Sequence, residues 1–269
     1  MKKRYWICLL LAAIIAWGFY ENTALEINSF PVSGPTLPDA FDGFRIAHIS
    51  DLHNARFGEN NQDLLRLLTD CKPDAIAITG DLIDSRNTNI HIAVHFAAEA
   101  AKIAPCYYVT GNHEARISEY PLLEQKLTDA GVTVLRNEAI SLEKDGKTIA
   151  IAGVEDPSFL GSVGFSAALS QLSSENFTIL LSHRPEYFEA YCQNGFDLVL
   201  SGHAHGGQFR IPLLGGLIAP GQGFFPEYDS GLYRKDNTNL VVSRGLGNSL
   251  FPFRLNNPPE ILLITLLKS

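Results

Sequence analysis

Five short apolar runs in this chain end directly on residues that ligate metals. Residues 45–50, 75–79, 107–110, 178–182 and 198–201 are β-branched or apolar, as buried strands are. They lead into Ser50-Asp51-Leu52-His53, Gly80-Asp81, Gly111-Asn112-His113-Glu114, Ser182-His183 and Gly202-His203-Ala204-His205. Further strands are predicted at 148–153, 240–243 and 261–266. Helical patterns fall at 61–71, 89–103, 120–130, 164–172 and 185–193, the last opening on Pro185. Alternation of this kind predicts an α/β layered fold with mostly buried strands. In such folds ligands collect at the carboxyl ends of strands, so these five rims would gather Asp, Asn and His into one metal site. Residues two apart share one side of an extended segment, which predicts that Asp51 and His53, and likewise His203 and His205, reach the rim together without unusual backbone. Glycines at 80, 111 and 202 leave the approach uncrowded.

In their order and spacing these motifs resemble those of the calcineurin-like metallophosphoesterases. Asp51 to Asp81 is 30 residues and Asp81 to Asn112 is 31, both suited to that family. The resemblance runs from about Phe44 to the C-terminus. Gly202 to Gln208, Ser243-Arg244-Gly245-Leu246-Gly247 and Pro258-Pro259-Glu260 resemble its membrane-associated bacterial phosphohydrolase branch. Ala204 stands where Thr is frequent, at a position that need not touch metal. The resemblance implies a four-layer α/β/β/α sandwich and two divalent ions, Mn, Fe or Zn. It implies that Asp51, His53 and His205 hold the first ion, that Asn112, His183 and His203 hold the second, and that Asp81 bridges. A hydroxide between the ions would attack phosphorus in line. His113 would protonate the leaving oxygen or steady the phosphate, tuned by Asp81 or Asp51. The implied activity is hydrolysis of phosphomonoesters or phosphodiesters. Two alternatives stand beside it, a UDP-2,3-diacylglucosamine-type pyrophosphatase and a scaffold that kept the fold without catalysis. Catalytic loss normally shows as missing ligands, and none is missing.

Other polar residues carry weaker signals. His91 and His95 are spaced i, i+4 with no third ligand, as on a helix surface. His48 precedes Asp51 by three residues within a strand and reads as packing or support for the ligands. Glu114 follows His113, but Ile117 occupies the place a zincin motif needs for its second His. Arg116, Arg210, Arg244 and Arg254 are candidates to grip phosphate. Arg244 leads them because it ends an apolar strand, and Gln208 joins it as a substrate-binding candidate. Residues 208–225 are apolar and rich in Gly and Pro, a folded hairpin that would face a bilayer or an acyl chain.

The formal net charge is −8, or −11 once Lys2, Lys3 and Arg4 are set aside. So acidic a body repels nucleic-acid backbone, which excludes sequence-independent DNA or RNA binding. Residues 5–20 are uncharged and follow that basic cluster. Sixteen residues of helix reach about 24 Å, somewhat short of a ~30 Å hydrocarbon core. Trp and Tyr lie near both ends, as at membrane interfaces. A cleaved signal peptide would have to be cut at Ala16-Trp17-Gly18, inside the aromatic end, so an uncleaved anchor is the better reading. Residues 1–22 are thus expected as the anchor, 23–40 as a linker, with an ordered first strand at 24–30 as the alternative, and 41–269 as the catalytic domain. The expected location is the cell membrane, single-pass with the body extracytoplasmic, or secreted if the segment is cleaved. A phosphoester substrate, lipid-linked on this placement, is the expected partner. Cys8, Cys71, Cys106 and Cys192 lack C-x-x-C spacing and are expected as inert thiols.

Overall fold

The structure, a computed structural model, describes residues 2–172 and 176–268. The helix α1 (Lys2–Glu21) precedes a sandwich of two six-stranded sheets. The first sheet contains β1 (Glu26–Gly34), β2 (Arg45–Ile49), β3 (Ala75–Thr79), β4 (Cys106–Val109), β5 (Val132–Val134) and β16 (Glu260–Lys268), in the order β1-β16-β2-β3-β4-β5. The second contains β6 (Glu138–Lys144), β7 (Lys147–Gly153), β8 (Thr178–Leu181), β9 (Leu198–Ser201), β14 (Gly231–Lys235) and β15 (Thr238–Val242), in the order β14-β15-β9-β8-β7-β6. Strands β2 to β5 run parallel, as do β7, β8, β9 and β15. Two small hairpins, β10 (Arg210–Ile211) with β11 (Gly215–Gly216) and β12 (Ile218–Ala219) with β13 (Gly223–Phe224), lie between β9 and β14.

Strand residues alternate between two cores. On β2, Ile46 packs between the sheets with Val109, Ile151, Ile179, Leu200 and Ile264, while Ala47 and Ile49 face outward. That outer face is covered by α2 (Gln62–Asp70), α3 (Ile90–Ala101) and α4 (Tyr120–Asp129), through Leu64, Leu68, Phe96, Leu123 and Leu127. The outer face of the second sheet takes α5 (Pro157–Leu172) and α6 (Phe188–Gln193), through Phe165, Leu169, Phe188 and Tyr191. Helix, sheet, sheet and helix form four layers, the mixed α/β architecture expected. Parallel strands buried on both faces explain why the runs read as continuously apolar rather than alternating.

Two expectations change. The stretch expected as a linker contains strand β1, paired in parallel with β16 over nine residues. Its edge position accommodates Pro31, and its polar residues Glu26, Asn28, Ser29 and Ser33 keep it from reading as a core strand. Among the described residues no helix is long and apolar enough to cross a membrane, so the expected spanning anchor finds no support in α1. The C-terminal end of α1 docks on the body instead. Asn22 just beyond it donates to Pro252 O at 2.7 Å, and its Oδ1 accepts from the Arg254 N–H at 3.0 Å. The basic cluster Lys2, Lys3 and Arg4 lies outside the described side chains. All four cysteines are free thiols, with Cys71 and Cys106 buried.

Candidate metal centre

The rim residues meet where the carboxyl ends of β2, β3 and β4 face those of β8 and β9. Asp51, His53 and His205 bring ligand atoms within 4.8 Å of one another, as do Asp81, His183 and His203, and as do His53, Asp81 and His113. All are buried. They do not arrive as expected, however. Asp51 and His53 lie beyond β2 with φ of 53° and 46°, and His203 and His205 lie beyond β9 with φ of 65° and 49°. Period-two geometry therefore does not place them. Left-handed backbone does, at a cost of about 1–3 kcal/mol per residue that the surrounding structure must supply. Asp81 shares this conformation at φ 52°.

Each aspartate has one oxygen anchored and one aimed into the cluster. Asp51 Oδ2 accepts the His203 N–H at 3.0 Å, and Asp81 Oδ1 accepts the His113 N–H at 2.8 Å. The free Asp51 Oδ1 lies 3.3 Å from His205 Nε2, 3.7 Å from His53 Nε2 and 4.0 Å from His183 Nε2. Asp81 Oδ2 lies 3.5 Å from His53 Nε2 and 3.3 Å from His183 Nε2, so it faces both ligand groups. His183 Nδ1 donates to Thr79 O at 2.7 Å, which leaves Nε2 as the inward nitrogen.

The donor set fits cations. Asp51 Oδ1 and Asn112 Oδ1 are buried without a hydrogen-bond partner. His53 Nε2 and His205 Nε2 stand 3.2 Å apart, a spacing at which one ring can donate to the other or both can bind one cation. Although burial opposes ionisation of both aspartates, the imidazoles hold them below the ordinary carboxylate range, His205 acting on Asp51 and His183 on Asp81. Burial pushes His205 down to about 3. His183 goes the other way, to about 10, because Asp81 outweighs its burial. The centre thus stabilises positive charge where these carboxylates converge.

Supporting residues complete the site. Glu114, fully buried, accepts the backbone N–H groups of Gly111 at 2.8 Å, Asp81 at 2.9 Å and Leu82 at 2.9 Å. It thereby ties the loop after β3 to the loop after β4. Burial and the Asp81 charge push its carboxyl up to about 7, while these amides favour the ionised form. A Cβ on Gly111 would stand 2.2 Å from Asp81 Oδ1, so the approach does require glycine there. His113 Nδ1 accepts the Ser85 N–H at 3.0 Å, which leaves its proton on Nε2. Burial lowers its pKa to about 4, so the ring is neutral at pH 7. Against that burial the Asp81 charge acts most strongly on the ring, as the sequence suggested, and Asp84, 3.6 Å from Nδ1, adds to it.

The cavity over the cluster, about 300 Å3, is lined by Asp81, Asn112, His113, His203 and three arginines, Arg86, Arg116 and Arg184. Arg184 is held by Asp156 at 2.6 Å and lies 2.7 Å from His203 Nε2. Arg184 and Arg86 were not among the expected arginines, although Arg184 directly follows a ligand, and that adjacency was the available signal. Arg244 is not in the cavity. Its guanidinium pairs with Glu26 at 2.9 Å and Glu260 at 2.8 Å, since two carboxylates at the β1–β16 edge outcompete an open site. Arg254 is a buried strut donating to Gly247 O and Arg244 O, and Arg210 pairs with Asp229 at 3.0 Å. Gln208 borders an adjoining groove, with Nε2 donating to Phe253 O at 3.0 Å. His48 is buried, its Nε2 at 2.7 Å from Thr79 Oγ1. His91 and His95 stack 6.2 Å apart, away from the metal-ligand groups found among the described residues.

The family model for calcineurin-like phosphoesterases matches residues 44–207, more than half of the chain and every residue of the cluster. The chain belongs to the calcineurin-like metallophosphoesterases. The uncharacterized metallophosphoesterase YkuE of Bacillus subtilis is 34% identical over 272 residues, 96% of this chain and 93% of that protein. Phosphodiesterase YaeI of Escherichia coli is 31% identical over 229 residues, 83% of this chain and 82% of that one. The sulfate thiohydrolase SoxB of Thermus thermophilus superposes with a TM-score of 0.53 at 14% identity, over 86% of this chain and 57% of that longer one, a likeness of fold alone. This metallophosphoesterase is a metal-dependent phosphoester hydrolase, and its clustered His and Asp residues suggest a dinuclear divalent site.

Proposed function

We propose that this metallophosphoesterase hydrolyses phosphodiesters, and phosphomonoesters less well, with two divalent ions. The observation that carries this is Asp81 Oδ2, which faces His53 from one ligand group and His183 from the other. Asp51, His53 and His205 would hold one ion, Asn112, His183 and His203 the other, and Asp81 both. Mixed imidazole, carboxylate and amide donors suit Mn, Fe or Zn. Such a pair of ions lowers the pKa of water and neutralises charge developing on the phosphoryl oxygens. Arg184, Arg86 and Arg116 are placed to bind those oxygens. His113, neutral with its proton on Nε2, steadies the phosphoryl group or the leaving oxygen by donation, which is favoured over full proton transfer. Preference for diesters is supported by the phosphodiesterase among the relatives.

The same reading keeps the protein at a membrane, body extracytoplasmic, with α1 as its attachment. Trp6, Leu9, Leu11, Ile15 and Phe19 of α1 are all exposed, and a helix apolar on every side needs an apolar surrounding. Loss of vesicle co-sedimentation on deleting residues 2–20 tests the attachment.

The test of the chemistry is hydrolysis of bis-p-nitrophenyl phosphate and p-nitrophenyl phosphate by the full chain, metal-stripped and then supplied with Mn2+. Turnover that returns with Mn2+ and is lost in Asp81→Asn is expected. A folded, metal-binding protein inert with Mn2+, Fe2+ and Zn2+ would favour the scaffold alternative.

A further inference from the structure

A second cavity, of about 290 Å3, opens directly off the first. The two share His205, Pro220, Gly221, Ser249 and Leu250, so a molecule held at the metal centre can extend into it without crossing solvent. One wall is the β12–β13 hairpin, with Ile218 and Ala219. The other is the loop carrying Leu250 and Phe251. Three polar side chains line it, His205, Gln208 and Ser249, and the first two are already engaged. Gln208 donates to Phe253 O at 3.0 Å, and His205 belongs to the metal centre. A sugar, nucleotide or peptide would therefore find few hydrogen-bond partners there, and burying its polar groups without partners is costly. Carbon finds a surface made of carbon.

The wall is fixed rather than loose. Arg86 Nη2 donates to Ser249 O, and the Phe251 ring packs on Phe209 at 5.1 Å. The same loop continues to Phe253, which meets Phe19 of α1 at 6.0 Å. The loop that walls the groove is thus also in contact with the apolar N-terminal helix. Leu250 on its lining and Phe224, the neighbour of the lining residue Gly223, are exposed at 76% and 71%, which an apolar ligand would reduce.

We propose that this groove is a subsite for an alkyl or acyl chain, and that the preferred substrates are phosphoesters carrying such a chain beside the scissile phosphate. The proposal rests on the phosphoesterase reading of the adjoining centre. Its experiment separates the two. Binding of octylphosphonate and ethylphosphonate to the Mn2+-loaded full chain is measured by calorimetry, alongside turnover of octyl and ethyl p-nitrophenyl phosphate. Because each buried methylene contributes about fourfold when fully enclosed, a partly open groove should still give octylphosphonate a Kd at least about tenfold lower. That ratio should fall towards one in Ile218→Asp and in Phe251→Asp, each checked for folding by thermal unfolding. Equal Kd values in the wild-type chain would overturn the subsite, as would a chain-length preference undiminished in both variants. Equal Kd values with vesicle binding lost in Phe224→Asp would assign the face to a bilayer and likewise overturn it. A chain-length preference in Kd without turnover of either ester would sustain the subsite and reject the hydrolase reading.

Discussion

The His203 backbone N–H donates to Asp51 Oδ2 at 3.0 Å, across the seam between the two sheets. Asp51 follows β2 of the first sheet and His203 follows β9 of the second, so one hydrogen bond sets the relative position of two candidate ligand groups. Gly202 makes the approach possible, because a Cβ there would stand 1.8 Å from Ser50 Oγ and 2.3 Å from Asp51 Oδ2. Gly202→Ala should therefore push the seam apart. The expected result is at least a tenfold loss of Mn2+ affinity by calorimetry, with a stability loss of about 1–3 kcal/mol.

Glu114 is expected to matter to the site without touching metal. Glu114→Ala leaves the amides of Gly111, Asp81 and Leu82 buried without an acceptor. Denaturant unfolding should show a loss of about 3 kcal/mol or more, at roughly 1–3 kcal/mol per orphaned donor with partial relaxation. Metal affinity should fall about 10–100-fold, as when partners that orient ligands are removed. Glu114→Gln, which keeps one acceptor oxygen, should lose less of both.

The arginines divide into two classes. Arg184→Ala should lower kcat/KM for a diester by about 10–100-fold, since it removes a charged donor from the lining of the cavity over the metal cluster. Arg244→Ala should leave kcat/KM within about twofold and lower stability by about 1–3 kcal/mol, because Glu260, 4% exposed, loses its cation. The two measurements together check the reassignment of Arg244.

His48 gives the acid limb of stability a calculable sign. Burial depresses its pKa from 6.5 to about 3, against the opposing charge of Asp51. The unfolded chain therefore binds the proton first. Stability from this group is full above 6.5 and is lost as pH falls towards 3, at about 1.4 kcal/mol per unit. Urea unfolding at pH 7 and pH 5 should show a smaller drop in His48→Gln than in the wild-type chain.

Truncation distinguishes the edge strand from a tether. A chain beginning at Ser33 loses most of β1, including Val32, which is fully buried, and uncovers β16. It should aggregate or melt well below the full chain in a thermal scan. A chain beginning at Glu21 keeps β1 and the Asn22 hydrogen bonds to Pro252 and Arg254, and should melt within a few degrees of it.

Residue order along the chain determined the family, the layered α/β architecture and the identity of the clustered residues. Ligand types at the ends of apolar runs are a local signal, since both the run and the residue that stops it lie within a few positions. Three things were decided only by tertiary structure. The left-handed backbone at Asp51, His53, His203 and His205 exists because packing across the sheet seam holds it, and no local preference of Asp or His dictates it. Arg184 rather than Arg244 lines the cavity over the cluster because Glu26 and Glu260, brought together by the β1–β16 pairing, converge on Arg244. Residues 26–34 are a strand because β16, more than 200 residues later, offers an edge to pair with. Each depends on which surfaces meet once the chain is folded, a long-range property that no window of sequence contains.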